Sequence, residues 1–107
     1  MEIGALRQRL VLENPTVIRD SFGEGREEYV AAGKVWGQVE PLTGRELFAA
    51  QQLHAETSLR ITLRYQKGVT PHSRLRLGER IFHILSVAET NLAHRQLVVL
   101  CKEESHG

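Results

Sequence analysis

The chain is nearly without cysteine: Cys101 stands alone among 107 residues, so it has no partner for an internal disulfide or a C-x-x-C metal pair. No apolar run approaches the ~18 residues of a membrane helix. The opening MEIGALRQRL lacks the apolar core of a signal peptide. The expectation is a soluble, unexported chain with no membrane partner, made in a reducing compartment or built into an assembly inside a cell. Histidines are present, yet His54, His72, His83, His94 and His106 show neither H-x-x-x-H nor H-E-x-x-H spacing. His83 and Cys101 can be neighbours on adjacent strands, but one His and one Cys do not close a zinc site. The serines lack G-x-S-x-G surroundings, and no phosphate-binding glycine loop occurs. Phe22-Gly23-Glu24-Gly25 holds a G-x-G without the buried strand before it or the helix after it that nucleotide binding needs. Glu24, Glu27 and Glu28 cluster on a polar segment with no apolar pocket to raise a pKa. The sequence nominates no catalytic residue, metal ligand or cofactor site, and it reads as a non-enzyme.

Charge is close to balanced at +1, which argues against a dedicated nucleic-acid binder. The distribution is uneven. Met1–Glu56 has 6 basic and 9 acidic residues (−3), Thr57–Phe82 has 6 against Glu79 alone (+5), and the remainder has 2 against 3 (−1). Such a split suits a subunit with one acidic and one basic side, or it reflects solvated strand faces.

What is present is alternation. Leu59, Ile61, Leu63 and Tyr65 share one face of TSLRITLRY, with Arg60, Thr62 and Arg64 on the other. Leu10 and Leu12 repeat the pattern near the start, and Leu75 and Leu77 against Arg74 and Arg76. RIFHILSVAE and RQLVVLCK are apolar on both faces, with Gly78-Glu79 as a tight turn and Glu89–His94 as a short loop between them. The expected core is Trp36, Leu59, Ile61, Leu63, Leu75, Ile81, Leu85, Leu97 and Val99. In VWGQVEPLTGRE, a strand leads into Thr43-Gly44-Arg45-Glu46, a capping box in which Thr43 and Glu46 each satisfy a helix-end donor. The helix runs from Gly44 to about Ala55 and is placed to plug one end of a curled sheet. Asn14–Lys34, with Pro15, Gly23, Gly25 and Gly33, reads as a long loop over about 15–33, with Arg19–Glu28 as its mobile part. The predicted fold is one mainly β domain spanning 1–107. It is a small, six-stranded, mostly antiparallel barrel or sandwich with one inserted helix.

Taken in order, these pieces resemble the head-closure or head–tail connector proteins of tailed bacteriophages and prophages. The resemblance runs from about Ile3 to Lys102. It lies in LRQRLVLENP, FGEG with Tyr29, VWGQVEPLTGRE, AAQQLHAE, LRITLRY with Lys67-Gly68-Val69, GERIFHILSV and RQLVVLCKEE. It departs at Gly37 and Tyr29, where members usually carry Ala and often Trp. The resemblance implies a structural virion protein at the head–tail interface, made and assembled in the host cytoplasm. It implies a subunit that is monomeric when isolated and forms a homo-oligomeric ring on assembly. Its implied partners are the portal-adaptor ring and the tail-terminator and tail proteins, with packaged DNA close by. In some relatives the loop after the first strand lies in the channel. Here that assigns a gating role to Arg19, Asp20, Ser21, Phe22, Gly23, Glu24, Gly25 and Arg26.

From the residues themselves, Arg60, Arg64, Arg74 and Arg76 are candidates for one exposed face that meets a neighbouring subunit or partner. The same four support a second reading, a small OB-like barrel that tracks a nucleic-acid backbone. That reading lacks aromatic residues for base stacking. An adaptor of unknown partner is a third class, separable by gene neighbourhood.

Overall fold

The computed structural model describes residues 7–91 and 95–105, and the expectations placed on His94 and His106 lie outside them. Six strands are described, β1 (Gln8–Arg19), β2 (Gly25–Pro41), β3 (Leu59–Arg64), β4 (Arg74–Leu77), β5 (Arg80–Asn91) and β6 (Gln96–Glu103), with one helix, α1 (Gly44–Leu53), between β2 and β3. Every neighbouring pair is antiparallel. The order β1-β2-β3-β6-β5-β4 closes on itself as a barrel. Closure removes the free edges that a small open sheet would expose to other chains.

Alternation fills the interior as expected through Leu10, Leu12, Leu59, Ile61, Leu63, Leu75, Leu97 and Val99, all buried. The strands that are apolar on both faces are settled by their partners. Leu75 faces Phe82 and Ile84 faces Cys101 across the ladders, so Phe82 and Ile84 point inward. Ile81 and Leu85, expected in the core, are only half-buried. A register shift between Ile84 and Ser86 then returns Val87 to the edge of the core. Trp36 is the larger correction: it is 44% exposed. Val35 occupies the inward position, and Gly37 sits so close to β3 that an added Cβ would lie 2.7 Å from Leu63 Cδ2 and 2.9 Å from the Thr62 carbonyl. The parity of β2 therefore turns the indole outward. Tyr65, assigned to the core face of β3, lies past the strand's end and is 37% exposed, with the Arg95 guanidinium 3.7 Å from its ring centre.

The long loop is not a loop. β1 and β2 pair continuously from Gln8↔Gly37 to Arg19↔Gly25 and leave only a tight turn between them. β4 covers β1 only at Val11–Glu13, and β3 covers β2 only from Gly37 to Pro41. Beyond those points the hairpin is a two-stranded arm standing off the barrel. A bulge at Ala32 on β2, between the pairs Leu12↔Gly33 and Glu13↔Ala31, marks its root. The arm explains why the radius of gyration is 14.9 Å, with a 50 Å long axis, against roughly 13 Å for a compact chain of this size. Pro15 is tolerated there because each arm strand has an unpaired side that needs no donor.

Candidate assembly surfaces

Antiparallel succession puts the connections at alternating ends. The arm, the 65–73 segment and the strand ends at Asn91 and Gln96 share one end, and α1 and the Gly78-Glu79 turn share the other.

At the arm's tip the backbone is fastened by Asp20. Its Oδ1 accepts from the N–H groups of Phe22 (2.9 Å) and Glu24 (3.0 Å), and the Asp20 N–H donates to the Glu24 carbonyl at 2.9 Å. Arg19 Nη1 donates to the Gly23 carbonyl, and Arg26 is paired with Glu28 at 2.7 Å. The segment expected to be mobile thus carries local hydrogen bonds of its own, because an Asx turn supplies them where no core contact exists. Phe22 is 90% exposed at the apex, with Val17, Ile18 and Val30 also open along the arm.

The root is a polar joint. Glu13 is buried and receives Arg74 Nε at 2.6 Å, with Arg76 Nε at 3.3 Å. The Arg74 guanidinium lies 4.1 Å from the centre of the Tyr29 ring, and Tyr29 meets His83 edge-on at 6.3 Å. His83 Nε2 is 2.9 Å from the Glu104 carboxylate, facing away from Cys101. Asn14 Nδ2 donates to the Gly68 carbonyl at 3.1 Å and Asn14 Oδ1 accepts from the Ser73 hydroxyl, tying the 65–73 segment to β1. A shallow depression of about 300 Å³ bordered by Pro15, Tyr29, His72, His83 and Lys102 lies beside this joint.

At the other end α1 does not form the expected capping box. Gly44 opens the helix at φ +55°, a left-handed conformation that takes the first turn out of box geometry. Thr43 makes no side-chain cap bond, and Glu46 turns instead to Arg60, which also lies 3.5 Å from Glu40. Within the helix only Ala50 is fully buried. Leu53 is 79% exposed and Phe48 69%, so the helix covers little of the barrel and leaves an apolar face open.

The four arginines proposed as one face do not share one. Arg60 and Arg64 are on β3, Arg74 and Arg76 on β4, and two strands separate these in either direction around the barrel. Arg60 is held by Glu40 and Glu46, Arg74 and Arg76 by Glu13. The feature that sequence reasoning missed is a basic patch on the outer side of β1, β2 and β3. The register sets Arg9 opposite Trp36 and Val11 opposite Lys34, and Gly37 opposite Leu63 brings Arg64 alongside Trp36. Arg9 lies 5.5 Å from the indole centre. The polarity of 7-11 (RQRLV) and 34-38 (KVWGQ) was its signal, but only after Trp36 is placed outside.

Elsewhere the titratable groups are structural. Burial pushes the Cys101 thiol up to about 12. A hydrogen bond from Lys102 lowers Glu56, and one to Glu103 raises Arg80. Among the described residues no group of three or more His, Cys, Asp or Glu could hold a metal, and no helix is long and apolar enough to cross a membrane.

The fold is a closed six-stranded antiparallel barrel with a two-stranded arm at one end and a helix at the other. Comparison with known proteins gives its family. Residues 1–104 match the phage head completion proteins, and the chain belongs to that family, a structural component of the phage virion. It is 25% identical to head completion protein gp7 of Enterobacteria phage HK97 over 107 residues, covering 95% of this chain and 96% of the relative. Among solved structures, protein SF1141 from Shigella flexneri 2a superposes with a TM-score of 0.79 at 26% identity over the whole of both chains. A chain of the virion of a native gene transfer agent particle does so with a TM-score of 0.59 at 26% identity, covering 92% of this chain and 96% of that one.

Proposed function

We propose that this head completion protein works as a ring of identical subunits that binds below the portal-adaptor, closes the DNA-filled head and offers the tail a docking surface. The observation that carries this reading is the two-ended barrel: a two-stranded arm with Phe22 at its apex projects from one end, and an uncovered helix face with Phe48 and Leu53 lies at the other. A ring seated between two different partners needs two different end surfaces. The arm is the element that reaches a neighbouring subunit or the channel, with Arg19–Arg26 as the gating segment. It acts as a stiff finger rather than a reshaping loop, because its turn is already hydrogen-bonded. The isolated subunit is monomeric at low concentration, since each contact is weak until a template supplies many at once.

Replacing Val17–Glu27 with Asn-Gly joins Thr16 to Glu28, which already face each other, through a two-residue hairpin turn and leaves the barrel intact. The expected result is a folded protein whose particles lose DNA or fail to join tails. Full infectivity of those particles would remove the arm from the mechanism. The backbone-tracking alternative gains no support from Arg60, Arg64, Arg74 and Arg76, which are divided between opposite strands of the barrel.

A further inference from the structure

We infer that the acidic arm tip of one subunit docks on the basic outer face of β1–β2–β3, centred on Trp36, of a second copy of this chain. The inference rests on the ring reading above and names the contact that would build it. Arg19–Glu28 carries Asp20, Glu24, Glu27 and Glu28 against Arg19 and Arg26, a net −2; Arg19 is turned onto the Gly23 carbonyl and Arg26 is paired with Glu28, which leaves Glu24 and Glu27 as the tip's outward anions. The outer face carries Arg9, Lys34 and Arg64 around the half-exposed indole, with no carboxylate in 7–11, 34–38 or 62–67. The other basic side chains differ: Arg60, Arg74, Arg76, Arg80, Arg95 and Lys102 each have a carboxylate within 4 Å. Among the described residues, Arg9, Lys34 and Arg64 around Trp36 thus stand out from these carboxylate-paired cations. The tip offers the matching anions and one apolar anchor, Phe22.

The contact cannot form within one chain. Trp36 and Gly25 lie on the same strand eleven residues apart, which is about 35 Å at the rise of an extended strand. Donor and acceptor are thus different patches on one molecule, and a subunit whose tip is docked still presents its own face. That makes the contact heterologous, the type that closes into rings. The tip's face, rather than the arm's edge, makes the contact, because Pro15 and the charges of Arg26–Glu28 blunt the edges against strand addition.

The test is cysteine crosslinking between Phe22→Cys and Gln38→Cys, the latter beside Trp36 on the outer face. Cys101 is buried and does not compete. In particles, mild oxidation of the double variant should give a ladder of covalent multimers that neither single variant gives. Lys34→Glu with Arg64→Glu should abolish the ladder, and adding Glu24→Lys with Glu27→Lys should restore it. Sedimentation of the purified chain at high concentration and low salt should follow the same loss and recovery of mass, whether or not variants enter particles. Particles with many copies and no ladder would overturn the contact and leave the ring standing. Particles with a single copy would overturn the ring itself. A ladder indifferent to charge reversal, with duplex-DNA binding lost in Lys34→Glu/Arg64→Glu, would assign the face to DNA and end the proposal.

Discussion

Within β1, Leu10 and Leu12 are wholly buried while Val17 and Ile18 stand open to solvent, and β2 repeats the change from Val35 to Val30. The same two strands thus build two objects. In the barrel they are held by side-chain burial from every partner strand. In the arm they are held only by each other's backbone and by the turn at Asp20. The difference separates global stability from the part that projects: the barrel can be rigid and cooperative while the arm carries contacts that cost the fold little to change. The joint between them, Glu13 with Arg74 and Arg76, couples the two.

The largest effect should come from the barrel. Phe82→Ala removes a wholly buried ring near the start of β5 and should cost ~3–5 kcal/mol, read as a fall in the denaturant midpoint. If arm variants cost as much, the separation would be broken. At the joint, Glu13→Gln leaves two guanidiniums without their carboxylate and should cost about 2–3 kcal/mol. Amide exchange across Asn14–Glu28 should speed up more than exchange in β3 or β6, sharpening the border between arm and barrel. In the arm, Asp20→Ala should cost about 1 kcal/mol and act locally, accelerating exchange at Phe22 and Glu24 with little change in the thermal midpoint. Phe22→Ala should change stability by less than about 0.5 kcal/mol, since the ring touches almost nothing in the subunit.

A pH test probes the barrel alone. The Cys101 thiol has its pKa raised from 9.0 to about 12 by burial, so the folded state holds the proton more tightly than the unfolded one. Its contribution is complete below pH 9 and is lost as pH rises toward 12. Thiol alkylation at pH 8 should therefore require global unfolding, and Cys101→Ala should flatten the alkaline fall in stability.

Much of the barrel was legible because its strands carry their own signal. In LRITLRY the apolar residues recur at every second position, and only one face can be inside. The arm was illegible because residues 17–27 are exposed on both faces and so show no alternation; its strand character comes from pairing, which composition does not display. Trp36 was misplaced because a large aromatic suggests burial, whereas the close approach of Gly37 to β3 sets the parity of β2. The arginines were grouped by their spacing along the chain, which says nothing of strand order. Glu46 was spent on a local cap when a full charge, Arg60, stood on the next strand.

By itself the sequence determined the mainly β class, the helix after Pro41, most of the barrel's interior and the resemblance to head-closure proteins, because each rests on local periodicity or on the order of segments. Tertiary structure alone decided which face of β5 is inside, that the polar segment is a paired two-stranded arm and that Arg9, Lys34 and Arg64 gather around Trp36. These depend on pairing between strands far apart in the chain, where register and closure choose among options that the local pattern leaves equal.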